Sequence, residues 1–157
     1  MAFLNDITPD YTKFSDVFQT EAGTTIGYAR KNLSLTATAG TVVQIGTLLV
    51  DNGDGTATIP ANALALSGAG VGKIVIFCGD DIYDKQVGHR DWNPNLASFE
   101  STNLTQDVTV VWRGRVGVGK ANLKWPSNVT TADKVAVYKR LEEENGFKVI
   151  RQLVPHA

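Results

Sequence analysis

Short runs in which apolar and polar positions alternate fill most of the chain, and glycine-rich turns separate them. A period of two marks strands with one buried face. Residues 24–35 read as strand-like, in Thr24-Thr-Ile-Gly-Tyr28 and then Leu33-Ser-Leu35. Residues 41–50 are β-branched and apolar, as a core strand would be. The loop Asp51-Asn-Gly-Asp-Gly-Thr56 follows, and residues 56–59 return as a second strand. Residues 61–66 are a short Ala/Leu segment, and Gly68, Gly70 and Gly72 break the chain before a strand at 73–78. In residues 105–113, Val108, Val110 and Trp112 alternate with Thr109, Val111 and Arg113. Residues 115–120 continue as a glycine-softened strand.

One helix stands out, over residues 129–141. Thr130 is its expected N-cap, with Asp133 completing the first turn. Ala132, Val135, Ala136 and Leu141 are the expected inward stripe, with Val137 or Tyr138 at its edge. Asn145-Gly146 supplies a left-handed stop, and residues 147–154 form a closing strand. The layout is mainly β with one C-terminal α-helix, an α+β arrangement without the βαβ alternation of nucleotide folds. Residues 1–22 read as an arm ahead of a single β-rich domain, residues 23–157. The arm spaces Phe3, Leu4, Ile7, Tyr11, Phe14, Val17 and Phe18 through polar residues, and Pro9 interrupts any regular element, while Tyr11, Phe14, Val17 and Phe18 also fit one face of a short helix, the competing reading. Such a segment docks its apolar groups on its own domain or on a neighbouring molecule.

The 157 residues suffice for one domain with a real core. Fifteen Lys+Arg balance sixteen Asp+Glu, and the densest basic stretches, Arg30-Lys31 and Arg113-Gly-Arg115, are only pairs. Nucleic acid is therefore not an expected partner. Cys78, the one cysteine, lies in an apolar run and reads as a buried thiol. It fits folding in a reducing compartment. No apolar run approaches the ~20 residues of a membrane span, and the first residues lack a signal-peptide pattern, so synthesis in a cytoplasm is expected.

The motifs that carry chemistry fail on inspection. Asp51–Thr56 has glycine where a calcium loop needs its third and fifth ligands, so a hairpin turn is expected. Gly68-Ala-Gly-Val-Gly72 precedes a strand instead of a helix, the wrong order for a phosphate cradle. An extended loop at 79–103 holds Asp80, Asp81, Asp84, His89, Asp91 and Trp92. An acid–base or metal site at His89 would belong there, but only one other histidine exists, His156. The chain is expected to have no catalytic centre, metal or cofactor.

The C-terminal third resembles the head decoration (cement) proteins of lambda-type phages. Their series of a β segment, an aromatic–Pro pair, a short helix of mixed charge and a final strand matches residues 108–115, Leu123-Lys-Trp-Pro126, residues 130–145 and residues 147–154. Leu123-Lys-Trp-Pro126 has one residue more, Lys124, than the family's Leu-Trp-Pro. In outline the likeness spans residues 40–154, and it is specific over 108–154. This chain is longer, mainly at residues 79–103 and at the N-terminus. The resemblance implies a β-tulip fold, a homotrimer on the outer surface of the virion capsid, and stabilisation of the head against packaged DNA. It implies the major capsid protein as partner, gripped by the N-terminal arm. Trp125, Pro126 and Trp112 are expected in the core or the subunit interface. Another virion module, such as a head fibre, baseplate or tail component with a carbohydrate-binding loop around Trp92, is the alternative.

Overall fold

A computed structural model describes residues 17–21, 29–68, 72–79 and 96–150. Its strands are β1 (Phe18–Glu21), β2 (Arg30–Thr36), β3 (Val42–Gln44), β4 (Leu48–Asp51) and β5 (Thr56–Thr58), then β6 (Lys73–Phe77) and β7 (Leu96–Ser98). β8 (Thr105–Val111), β9 (Val116–Gly119) and β10 (Lys148–Ile150) complete them. A one-turn helix α1 (Leu64–Ser67) precedes β6, and the long helix α2 (Thr131–Asn145) precedes β10. The fold is thus mainly β with one substantial helix near the C-terminus, as the periodicity predicts.

Five strands close into a barrel in the order β2-β5-β4-β6-β8. β2 runs parallel to β5, and the other neighbouring pairs are antiparallel. β2 and β8 keep polar residues outside while burying Leu33, Leu35, Val108 and Val110. β4 is buried along its whole length and β6 from Ile74 onward, because other elements cover their outer faces. Beside the barrel, β9 is the centre of a second sheet, antiparallel to β1 and parallel to β10. β3 and β7 form a separate antiparallel ribbon.

Four expectations change here. Residues 41–50 are two strands, because Gly46 turns the chain at φ 93°. A Cβ at Gly46 would lie 2.6 Å from the Asn122 carbonyl oxygen and 2.9 Å from Val17 Cγ2, so only glycine fits. The extended loop at 79–103 contains β7, whose pairing with β3 brings Ala97 and Phe99 into the core. Val17 and Phe18, expected in the arm, are core residues at 0% and 4% exposure, and β1 belongs to the folded body. Residues 24–28 and 151–154, expected as strand, lie outside the described residues.

The fourth concerns the rotation of α2. Its buried face is Val137, Leu141 and Asn145, whereas Val135 is 59% exposed and Ala132 and Ala136 face solvent. Hydrogen bonds rather than a broad apolar stripe set this rotation. Asn145 Nδ2 donates to the carbonyls of Ile74 and Trp112, each at 2.8 Å. The Arg140 guanidinium donates to the carbonyls of Leu66 and Gly72 and grips Glu144. The ends follow the sequence: Thr130 and Asp133 form a reciprocal capping box, and Gly146 stops the helix at φ 77°.

Leu141→Ala should cost about 2–5 kcal/mol in chemical denaturation, and Val135→Ala should change stability by less than about 0.5 kcal/mol. The reverse order would place Val135, not Leu141, against the barrel. The Thr130 backbone and hydroxyl bonds hold the Asp133 carboxyl below the ordinary carboxylate range. A depressed folded pKa contributes stability above the unfolded value, and that stability is lost as pH falls through the folded value. The melting-temperature gap between wild type and Asp133→Asn should therefore be largest near neutral pH and shrink as the solution is acidified below the ordinary carboxylate pKa. A constant gap would remove the capping charge from the account.

Candidate interaction surface

Two half-buried tryptophans organise the polar surface, and different elements hold each. A short 3-10 turn (Lys120–Asn122) leaves β9, and Leu123 then enters the core. Lys124 N–H donates to the Gly46 carbonyl at 2.8 Å, and its carbonyl accepts from Leu48 N–H at 3.4 Å. This fastens the link onto the barrel, so Trp125 and Pro126 emerge at a fixed place beside α2. The Trp125 ring meets Tyr138 edge-on, with centroids 5.5 Å apart and planes at 76°. Such pairs contribute about 0.5–1.5 kcal/mol beyond burial. Lys134 Nζ lies 5.5 Å from the Trp125 centroid and Lys120 Nζ 4.7 Å from the Tyr138 centroid. Burial pushes the Tyr138 hydroxyl above its ordinary pKa.

Trp112 follows β8 and is fixed by its backbone. Its N–H donates to the Ala29 carbonyl at 2.9 Å, and its own carbonyl receives Asn145. Lys31 Nζ is 4.5 Å, the Arg113 guanidinium 4.3 Å and Lys73 Nζ 6.0 Å from the ring centroid. Lys31 also pairs with the Asp51 carboxylate, which is only 7% exposed and accepts the Gly53 N–H at 2.9 Å. Lys31, Asp51, Lys73 and Trp112 come from four elements or their ends and gather because β2, β4, β6 and β8 are neighbours in the barrel.

The expected hairpin at Asp51–Thr56 is present, since β4 and β5 pair antiparallel across it. The Thr56 hydroxyl, at 2.6 Å, and the Thr56 N–H, at 3.0 Å, both donate to Asp54, keeping its carboxyl below the usual range. The Asp54 carboxylate is thereby used in closing the turn. Among the described residues, no group of three or more His, Cys, Asp or Glu is placed to hold a metal ion. No helix among them is long and apolar enough to cross a membrane.

Of the expected site residues, Trp112, Trp125 and Pro126 are half-buried at the surface of the body rather than at its centre. Trp112 and Trp125 belong to separate side-chain clusters. Phe3, Leu4, Ile7, Tyr11 and Phe14 of the arm lie outside the described residues, as do His89, Trp92 and His156. The cations around Trp112 escaped the sequence reading. Arg30-Lys31 and Arg113 look like isolated pairs in the chain, and only the β2–β8 register, with Arg30 opposite Val111, unites them. Comparison with family models, with curated proteins and with solved structures found no match.

Trp125→Ala should lower stability by about 2 kcal/mol, less than the ~3–5 kcal/mol of a fully buried ring, and Trp125→Phe should recover part of the loss by keeping the edge contact. A loss in the fully buried range, with no rescue by phenylalanine, would mean that Trp125 is a central core residue.

Proposed function

We propose that the protein is a phage head decoration protein that binds the outside of an assembled capsid and stabilises it. The observation that carries the reading is the order of the last elements. β8 and β9 are followed by the Leu123–Pro126 link, then α2, then β10. That is the series on which the resemblance to lambda-type decoration proteins rests, and here it spans contiguous packed elements. The tulip-like form of that family and a homotrimer on the virion surface belong to the same proposal. The coarser facts beneath it are the closed barrel and the helix near the C-terminus.

The physical mechanism is linkage. A protein that binds only the assembled shell stabilises it by mass action. An oligomer touching several shell subunits gains avidity, because later contacts form within one complex. β1 lies at one edge of the β1-β9-β10 sheet, so the chain enters the body along an edge strand. The segment ahead of it, with Phe3, Leu4, Ile7, Tyr11 and Phe14, is the part assigned to the major capsid protein. An extended segment adds backbone hydrogen bonds to an exposed shell edge, and its alternate side chains fill pockets. Val17 and Phe18 are excluded from that role, because both are buried in the body.

Purified protein added to expanded empty heads should bind saturably and raise their calorimetric melting temperature. Deletion of residues 1–16 should abolish this protection while the far-UV spectrum and the melting of the free protein stay nearly unchanged. Deletion of residues 1–21 should also destabilise the body, because it removes β1 with Val17 and Phe18. Heads neither bound nor protected by the full chain would end the proposal.

A further inference from the structure

The hairpin that joins β4 to β5 carries a chemistry separate from the decoration role. Two Asn-Gly pairs occur in the chain, Asn52-Gly53 in this hairpin and Asn145-Gly146 at the end of α2. A glycine after asparagine leaves its backbone nitrogen unshielded by a Cβ, so that nitrogen can approach the side-chain amide carbon closely. The fold treats the two pairs in opposite ways. Residues 52–56 are exposed, and a Cβ at Gly53 or Gly55 would meet nothing within 4 Å. Asn145 is only 4% exposed, its Nδ2 donates to the Ile74 and Trp112 carbonyls, and the Gly146 N–H donates to the Leu141 carbonyl. Amide and nucleophile of that second pair are both engaged inside the body.

Asn52 is also an outer clasp on β5. Its Nδ2 donates to the Thr56 and Thr58 hydroxyls, each at 3.0 Å, and its backbone N–H donates to the Thr56 carbonyl at 3.1 Å. β5 has the fewest ladder pairs of the five barrel strands, two to β4 and two to β2. A covalent change at Asn52 therefore acts where closure of the barrel is thinnest.

We propose that Asn52 is a spontaneous modification site, whose amide converts through a cyclic imide to aspartate and isoaspartate in the folded protein while Asn145 is spared. The Gly53 nitrogen gives its proton to a solvent base and bonds Asn52 Cγ. The Cγ–Nδ2 bond breaks, and Nδ2 takes a proton from water and leaves as ammonia. Water then opens the ring at Cγ to give aspartate, or at the Asn52 backbone carbonyl carbon to give isoaspartate, and the ring nitrogen regains a proton. Nothing is oxidised or reduced. The bonds to Thr56 and Thr58 stabilise the starting amide and are lost in the ring, so they slow its formation. The Asp51 carboxylate, accepting the Gly53 N–H at 2.9 Å, likewise favours the protonated nitrogen. Both products lack the Nδ2 clasp and add a carboxylate to a turn that already holds Asp51 and Asp54. Isoaspartate also lengthens the backbone by one methylene, which disturbs the turn that sets the β4–β5 register.

The experiment incubates the folded full chain at mildly alkaline pH and follows it by peptide mapping with mass spectrometry. Isoaspartate is counted with purified isoaspartyl carboxyl methyltransferase and labelled S-adenosylmethionine. The peptide holding Asn52 should gain the mass of an amide-to-acid exchange and accept label, while Asn145 stays an amide until urea unfolds the chain. The aged fraction, separated by its added negative charge, should melt below fresh protein, and Asn52→Ser should remove both the label and the drop. Thr56→Val/Thr58→Val should speed the reaction by about twofold to tenfold, the range set by hydrogen bonds of ordinary net strength. Thr58→Val alone should act in the same direction, and serves if the double variant does not fold. An Asn52 amide that lasts as long as that of Asn145 in the folded chain would overturn the proposal. So would a folded threonine variant that reacts no faster than wild type, and so would an aged fraction that melts as fresh protein does.

Discussion

The pairing of β2 with β8 holds this fold together. Seven residue pairs, from Arg30–Val111 to Thr36–Thr105, join two strands far apart in the chain and close the barrel. The entropy of closing so long a loop grows only logarithmically with its length, so a ladder of this size with apolar burial behind it offsets the loss. Its two faces fix the register. Leu33, Leu35, Val108 and Val110 point into the core, while Thr36 bonds Thr105 at 2.8 Å and Thr109 bonds Asn32 at 2.9 Å on the outside. A slip of one residue would turn the leucines out and break both polar contacts. Closure also removes the edges of this five-stranded sheet, which would otherwise invite association.

Everything attached to the barrel inherits its precision from that seam. Asn145 can bridge Ile74 and Trp112 only because β6 and β8 are neighbours, and this pair of bonds sets the rotation of α2. The backbone bonds between Lys124 and the Gly46–Leu48 segment fix the link that carries Trp125. Gly46 itself is required because Val17 and Asn122 pack against the place a Cβ would fill. Local turn chemistry and long-range packing thus meet at the same few positions.

Elements were legible in the sequence where a local signal decided them. The buried runs of β4 and β6, the alternation of β8, the hairpin at Asp51–Thr56 and the Thr130–Gly146 limits of the helix all came from propensity, capping or turn chemistry. What stayed hidden depended on partners distant in the chain. β7 is three residues long and becomes a strand by pairing with β3, so it looked like loop. The α2 face was misjudged because its anchors, Asn145 and Arg140, are polar, and an apolar-stripe count passes over them. Val17 and Phe18 looked like arm because the partner strand β9 lies far down the chain. The surface was hidden for the same reason, since basic residues that are only pairs along the chain become a patch when their strands align.

The Lys31–Asp51 pair shows how that patch and the core share one device. Burying an ion pair is a poor source of stability, because desolvation offsets most of the Coulomb attraction, while leaving one partner alone is costly. The Lys31–Asp51 pair therefore adds little net stability, while loss of Lys31 would leave the nearly buried Asp51 carboxylate without its cation. Apolar residues would fill the same space under many small rotations, whereas an ion pair with the Gly53 N–H on the carboxylate tolerates few. Holding Lys31 against Trp112 in turn fixes where the ring edge lies and where Arg113 can stack.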